Sequence, residues 1–323
     1  MEDLITEISP GIKAAYETET LFWTVNGIIT QQVFAKNRDF NDTSEALDID
    51  FYRERSLFDR FSMSNHFIHS YEMGAIETSL GRPSGRYGYY SNTFEFKYER
   101  DLAQELTMNL LYDNESNRFS GSELADSTGN RFSAEVFYQL NPATTLIASY
   151  QFLNRNFDPG GILSDNLISV GVRRKITERL TAEARTGVDY IQSYDDEEYI
   201  EPRLTVSLAQ EIDEKNKAAI HFSKLYDSTP YSEDLFNSWQ AGASWERELS
   251  ERTSCTASGF YGNGKYAASG AKETILGGSL SSIYALNKNI KVNLGYGYSQ
   301  VKSNEDVREY TQNKVSAGMK IEF

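Results

Sequence analysis

Apolar and polar side chains alternate along segments of about ten residues throughout this chain. The last segment is the clearest example, because its apolar side chains are Val315, Ala317, Met319, Ile321 and Phe323. The residues between them are polar or small, and successive side chains of an extended strand point to opposite faces. The pattern therefore predicts an all-β chain in which each strand has one apolar face and one polar face.

A soluble β-sandwich also hides one face of each sheet, so alternation alone does not indicate a membrane. Strands of about ten residues, however, suit a tilted membrane strand, whereas globular strands average about five to six. Aromatic side chains cluster at the ends of the apolar faces, and short connections alternate with long ones, such as the loops expected at about 114–130 and 154–165 after strands that end at 114 and 154. Together these features predict a transmembrane antiparallel β-barrel of 16–18 strands, with residues 1–323 forming a single domain.

The strand count raises a question of closure. The pattern gives about 17 strands, with the first at 7–17 and the last at 313–323, but bacterial single-chain barrels have even counts. Counting back from Phe323 puts every short turn on the periplasmic side, so a further strand is expected before 7–17. Residues 1–6 are too few to form it. We therefore expect either a closing strand outside this numbering or an odd or open seam next to Phe323.

Composition excludes several classes of protein. The chain has 47 acidic and 32 basic residues and a net charge of −15, which argues against a nucleic-acid partner. Its mean hydropathy is −0.54, and no apolar run approaches the roughly 18 residues of a spanning helix, although barrel strands can cross with this composition. No signal peptide follows Met1, so we expect one to have been removed before this numbering begins.

The end of the chain predicts a localisation and a partner. An apolar stripe that ends in a terminal aromatic residue resembles the C-terminal signal that outer-membrane assembly machinery recognises. Met319, Ile321 and Phe323 are the residues that would carry this signal. The interpretation predicts a protein of the bacterial outer membrane that contacts outer-membrane lipid and lipopolysaccharide.

Short motifs add a resemblance to a known family. Ile8-Ser9-Pro10-Gly11-Ile12 is followed by Tyr16-Glu17-Thr18-Glu19, and related turns occur at 176–180 and 249–253. These segments resemble an outer-membrane β-barrel family that is encoded in bacterial exopolysaccharide clusters. The resemblance implies a wide conduit for a secreted polysaccharide in biofilm formation, beside a periplasmic polysaccharide export protein. It also implies an extra strand before the Ser-Pro-Gly segment, which this sequence does not contain.

No constellation of catalytic residues stands out, so the sequence predicts a protein that is not an enzyme and needs no cofactor or metal. His66 and His69 are three residues apart, which places them on opposite faces of a strand and argues against a joint metal site. Gly262-Asn263-Gly264 lacks the strand-to-helix context of a phosphate-binding loop. The single cysteine, Cys255, cannot form an internal disulfide.

The polar faces supply the candidate functional residues. We predict that charged side chains of both signs line a hydrated lumen, and that their mixed signs give no strong ionic selectivity. The long loop at about 71–91 is the candidate for a constriction that folds into the lumen. The first functional hypothesis is polysaccharide export; the alternatives are a general diffusion porin and a structural or adhesive barrel with a closed lumen. The predicted lumen-lining residues are Glu95, Lys97, Glu135, Glu183, Arg185, Asp189, Glu201, Arg203 and Lys291.

Overall fold

The computed structural model describes residues 3–71, 88–120, 124–158, 160–193, 197–228, 234–304 and 309–322. These residues form one sheet of eighteen strand segments, and a single 3-10 turn at Arg38–Phe40. The segments are β1 (Ile5–Ile8), β2 (Gly11–Glu17), β3 (Leu21–Phe34), β4 (Asp42–Glu54), β5 (Asp59–Ser70), β6 (Gly88–Ala103), β7 (Leu106–Ser120), β8 (Asp126–Asn141), β9 (Thr144–Asp158), β10 (Ile162–Thr177), β11 (Leu180–Gln192), β12 (Glu198–Asp213), β13 (Asn216–Ser228), β14 (Leu235–Ser250), β15 (Thr253–Tyr266), β16 (Lys272–Ala285), β17 (Ile290–Ser303) and β18 (Tyr310–Ile321).

From β2 to β18 each strand pairs antiparallel with the next along the chain, which is the meander expected of a membrane barrel. The predicted alternation of connections is confirmed. At one end of the barrel several turns have only two residues between strands, and the other end carries the longer connections. The two-residue turns are 104–105, 142–143, 178–179, 214–215 and 251–252.

The strands are longer than the sequence pattern indicated. From β3 onward they have 12 to 16 residues, so the loops predicted at 114–130 and 154–165 are wrong in extent. The reason is that the hydrogen-bonded ladder continues past the apolar band, where polar residues such as Asn117 and Ser127 still pair. Of the predicted constricting loop at 71–91, residues 72–87 lie outside the described residues, and 88–91 belong to β6.

The first two segments form a single crossing of the barrel. Both β1 and β2 pair with β3, and the register does not shift between them. Pro10 interrupts the strand because it has no backbone N–H, although its carbonyl still accepts a hydrogen bond from the Ile29 N–H at 3.0 Å. The structure therefore contains seventeen crossings, as predicted, and the first begins at Ile5 rather than at residue 7.

The seam between the first and last crossings differs from every other strand boundary. Lys13 on β2 is near enough for its charge to act on Glu322, just after β18, but within the described residues no register of paired residues joins β2 and β18. All seven residues of β2 are exposed, as expected of a strand with one well-formed neighbour. An odd number of antiparallel crossings also makes β2 and β18 run in the same direction. The odd number of crossings among the described residues agrees with the expectation, which is either a closing strand outside this numbering or an odd or open seam next to Phe323.

Asp3 ties the start of the chain to the segment after β3. Its carboxylate accepts hydrogen bonds from the backbone N–H groups of Lys36 and Asn37, both at 2.9 Å, and from the Asn37 side chain at 2.6 Å. Desolvation would raise the pKa of Asp3, but these donors outweigh it and lower the pKa to about 2. The ionised carboxylate therefore stabilises this corner of the fold.

The two faces of the sheet differ as the alternation predicted. Large apolar side chains are exposed on one face, for example Val315 at 82%, Leu294 at 59% and Ile168 at 65%. On the opposite face, polar side chains such as Asp189, Ser127 and Ser299 are almost fully buried. This inside-out arrangement is typical of a barrel whose outer surface contacts lipid. No helix in the described ranges is long and apolar enough to cross a membrane.

Candidate lumenal site

All nine predicted lumen-lining residues lie on the polar face, opposite the exposed apolar side chains. Eight of them belong to strands β6, β8, β11 and β12, and the ninth, Lys291, lies apart on β17. The strand pairing places these four strands within one continuous stretch of wall, β6–β12. We call this stretch the charged wall. Their role in conduction stays a prediction.

Arg185 is the centre of the charged wall. Its guanidinium donates to Glu135 at 2.5 Å and to Glu183 at 2.6 Å, and Arg173 donates to the other oxygen of Glu183 at 2.6 Å. Glu135, Arg185, Glu183 and Arg173 therefore form a chain of alternating charges. Charge-assisted hydrogen bonds of this kind fix the side chains along the wall, and each carboxylate offsets the charge of the guanidinium that it binds.

The contact between Arg185 and Glu135 crosses two intervening strands, and small residues make this possible. Glu135 pairs with Ser149, Ser149 with Ser169, and Ser169 with Gly187, so a row of small side chains runs from β8 to β11. The Ser149 and Ser169 hydroxyls hydrogen-bond each other at 2.5 Å. A long guanidinium can therefore lie over this row, and together they line a concave pocket on the inner wall.

A second crossing contact involves residues that the sequence analysis did not single out. Arg155 on β9 donates to Glu115 on β7 at 2.7 Å, passing over Gly129 of β8. A Cβ on Gly129 would lie 3.3 Å from the Arg155 guanidinium carbon, so glycine leaves the space that the ion pair occupies. The Arg155 side chain is only 3% exposed, and that of Glu115 is 29% exposed. The strand predictions stopped at 114 and 154, which is why both residues were missed.

Further ion pairs complete the charged wall. Arg203 donates to Asp189 at 2.8 Å, so these two predicted residues are direct partners. On β6, Lys97 lies 3.3 Å from Glu99, which also binds Arg60 at 2.8 Å. The predicted acidic residue Glu95 pairs in register with Asp113, whose carboxylate contacts Arg131 at 3.4 Å. Every strand from β5 to β12 therefore contributes at least one charged side chain to these ion pairs.

Apolar side chains replace the ion pairs at the long-loop end of the polar face. One buried cluster consists of Phe157, Leu163, Ile191, Tyr226 and Leu235. A second cluster packs Phe236 against Tyr266 with ring centroids 4.6 Å apart. These clusters fasten the strand ends together where the chain leaves the apolar band.

The rest of the inner wall, from β13 to β18, is built differently. Small residues such as Ser258, Ser279 and Gly277 dominate its polar face. The predicted residue Lys291 pairs in register with Lys320, so two ammonium groups face each other there. Lys320 contacts Glu322 at 2.7 Å, which offsets part of this repulsion.

The histidines do not form a joint site. His66 contacts Asp48 on the polar face, whereas His69 stacks on Tyr90 with ring centroids 4.2 Å apart and contacts Glu45 at 3.2 Å. The prediction that the two rings point to opposite faces is confirmed. Among the described residues there is no cluster of three or more His, Cys, Asp or Glu side chains suited to holding a metal ion.

Comparisons with known proteins agree with this architecture. Residues 228–323 match the family described as "Putative beta-barrel porin 2". No curated protein sequence matches the chain. Three solved outer-membrane proteins share the fold.

The FrpB iron transporter from Neisseria meningitidis (F5-1 variant) has a TM-score of 0.57 at 8% identity, with 95% of this chain and 63% of that chain covered. The siderophore receptor PirA from Acinetobacter baumannii has a TM-score of 0.53 at 8% identity, covering 98% and 71%. The copper transporter OprC has a TM-score of 0.51 at 10% identity, covering 95% and 61%. This chain spans less than two thirds of the FrpB and OprC chains, and these low identities show the fold alone. The chain is a β-barrel of the bacterial outer membrane whose last third is porin-like.

Proposed function

We propose that this barrel is a passive conduit for a hydrophilic polymer, a secreted polysaccharide. The observation that carries the proposal is the network of ion pairs on the inner face of β5–β12. Its cations lie within 2.5–3.4 Å of carboxylates, so they offer hydrogen-bonding groups whose positive charge is already paired. Sugar hydroxyls exchange readily among such groups, whereas an unpaired charge would bind ions or charged solutes strongly.

The size of the barrel supports the same function. Seventeen crossings fall within the range of 16–18 strands at which membrane barrels enclose an aqueous channel. The small-residue wall of β13–β18 adds width to the lumen, because serine and glycine project little from the sheet. We infer the substrate, a secreted polysaccharide, from the resemblance of the Ser9-Pro10-Gly11 segment to barrels that are encoded in bacterial exopolysaccharide clusters.

Channel recording tests the conduit. We expect the protein in planar bilayers to give stable ohmic conductance with a reversal potential close to zero in a salt gradient, since the wall charges are paired. Adding a neutral polysaccharide to one chamber should reduce the current by partial occupancy. A barrel that never conducts would contradict the proposal.

A matched pair of variants locates the path. Ser169 and Val170 are neighbours on β10, but Ser169 faces the polar side and Val170 is 57% exposed on the apolar side. Ser169→Trp should lower conductance because it adds a bulky ring to the inner wall, whereas Val170→Trp should leave conductance unchanged. Equal effects of the two substitutions would show that ions do not pass along this face.

Deletion of the gene separates export from general diffusion. If the barrel exports a polysaccharide, the polymer should fall in the medium and accumulate in the periplasm, and the intact gene should restore secretion. Unchanged secretion together with normal conductance would identify a general diffusion porin instead.

A further inference from the structure

Three lysines lie together on the outer face of the barrel at its long-loop end. They are Lys265 on β15, Lys272 on β16 and Lys302 on β17, and all three are exposed. The neighbouring residues Tyr266 and Glu273, at 1% and 2% exposure, turn to the other face. The three ammonium groups therefore project from the side of the sheet that contacts lipid. We call these residues the lysine triad.

The register confirms which face they share. Tyr261 pairs with Leu276, and both are exposed on the apolar face at 45% and 46%. Lys265 and Lys272 each lie four residues farther toward the long-loop end, with no shift in register between. At about 3.3 Å per residue this places them roughly 13 Å along the strands beyond the apolar pair. Asn263 and Thr274 lie between on the same face, so the outward-facing side chains are already polar before the lysines are reached.

The arrangement within the triad is repulsive. Lys265 and Lys272 are direct cross-strand partners, and like charges in that position destabilise a sheet. Lys302 pairs with Thr274, which makes it a diagonal neighbour of Lys272. The triad spans two inter-strand spacings, about 10 Å. None of the ion pairs between described residues contains any of the three lysines.

A second cross-strand lysine pair, Lys291 and Lys320, has an acidic neighbour, which the pair Lys265 and Lys272 lacks among the ion pairs of the described residues. On the polar face, Lys291 and Lys320 also face each other, but Glu322 lies beside them. A hydrogen bond from Lys320, followed by the charges of Lys320, Lys291 and Lys13, lowers the pKa of Glu322. The pair Lys291 and Lys320 therefore has Glu322 as its neighbouring anion. An anion for the pair Lys265 and Lys272 would come from outside the described part of the chain.

Other outward-facing charges at the long-loop end are arranged differently. Glu45 contacts His69, Arg118 lies 3.8 Å from Asp126, and Asp126 pairs in register with Asp158. Lys224 on β13 also faces outward, since it pairs in register with Trp239, but it lies two strands from Lys265.

We propose that the lysine triad is a binding site for the phosphates of lipopolysaccharide. Long loops face the exterior in outer-membrane barrels, so the triad lies at the level of the outer leaflet, where that phosphorylated glycolipid resides. Its acyl chains then lie along the exposed apolar side chains of β15–β17, and its phosphates separate the repelling ammonium groups. The inference does not depend on whether the lumen conducts.

Native mass spectrometry of the purified barrel in mild detergent tests the site. The probe is a rough-type lipopolysaccharide with two phosphates on its lipid anchor. We expect the wild-type protein to retain it, and the K265Q/K272Q/K302Q variant to bind it about a hundredfold more weakly, since each surface cation adds a similar increment. The charge-preserving K265R/K272R/K302R variant should keep binding.

A matched control removes the same charge at the other end of the barrel. Lys175, Lys215 and Lys288 are exposed near the short turns, so K175Q/K215Q/K288Q should bind lipopolysaccharide like the wild type. Phosphatidylglycerol and inorganic phosphate, used as separate probes, should displace the glycolipid poorly. Equal binding by the triad variant and the control would overturn the proposal, and so would efficient displacement by either of these probes.

Discussion

The ion pair between Arg155 and Glu115 offers a direct measure of how much the charged wall stabilises the barrel. Arg155→Met keeps the length of the side chain but leaves the Glu115 carboxylate without its cation. The two groups are 2.7 Å apart, and a pair of charges about 4 Å between centres gains about 4 kcal/mol at an effective dielectric constant of 20. Because 29% of the Glu115 side chain is exposed, water recovers part of this, and we expect a loss of about 2–3 kcal/mol.

The assay is urea unfolding of the barrel in lipid vesicles, followed by the fluorescence of its three tryptophans. A loss of about 2.5 kcal/mol corresponds to a change of more than about fiftyfold in the unfolding equilibrium. The double variant E115Q/R155M should recover at least about 1 kcal/mol relative to R155M, because it removes the unpaired charge.

A matched control distinguishes the buried pair from an exposed one. Arg100 lies 3.8 Å from Asp59, and its side chain is 52% exposed, so Arg100→Met should lower the urea midpoint much less than Arg155→Met does. If R155M and R100M lose the same small amount, or if the E115Q and R155M effects simply add, the wall is not held by this ion pair.

Three further outcomes follow from the structure. Gly242→Ala should cost about 1–3 kcal/mol in the urea assay, because its Cβ would overlap the His221 ring, and adding His221→Ala should restore most of the loss. Asp3→Asn should be less stable than the wild type above about pH 4, and the difference should vanish as the pH falls toward 2. The reason is that the pKa of Asp3 is about 2 in the folded protein and ordinarily 3.8. A difference in stability that is unchanged at pH 2 would refute the role of the carboxylate. Pro10→Val should join the first two strand segments, because valine supplies a backbone N–H opposite Ile29. The new amide at position 10 should exchange its hydrogen slowly, and exchange as fast as in a loop would contradict this.

The faces of the sheet could be predicted from the sequence because they depend only on position along a strand. Period-two alternation placed all nine charged candidates on the polar face and separated His66 from His69. The same rule applied to a longer strand would also have placed Glu115 and Arg155 there. The error lay in the strand ends, where polar side chains on both faces conceal the continuing ladder.

Partners across several strands could not be predicted in the same way. The contact from Arg185 to Glu135 depends on register through two intervening strands and on the small size of Ser149, Ser169 and Gly187. No local pattern reports that combination, because a one-residue slip at any boundary would send one partner to the lipid face. The lysine triad was missed for a related reason, since Lys265 and Lys272 are seven residues apart across a loop and become neighbours only through the hairpin.

The seam between the first and last crossings follows from the odd number of crossings rather than from any single residue. Seventeen antiparallel crossings give β2 and β18 the same direction, so these two strands can contact each other directly only in a parallel arrangement. Parallel pairing is slightly weaker per residue than antiparallel pairing, and Pro10 removes one donor from the first crossing. All seven residues of β2 are exposed, as expected of a strand with one well-formed neighbour. Lys13 and Glu322 lie on opposite sides of the seam, and the charge of Lys13 adds to the hydrogen bond and charge of Lys320 and the charge of Lys291, which together lower the pKa of Glu322.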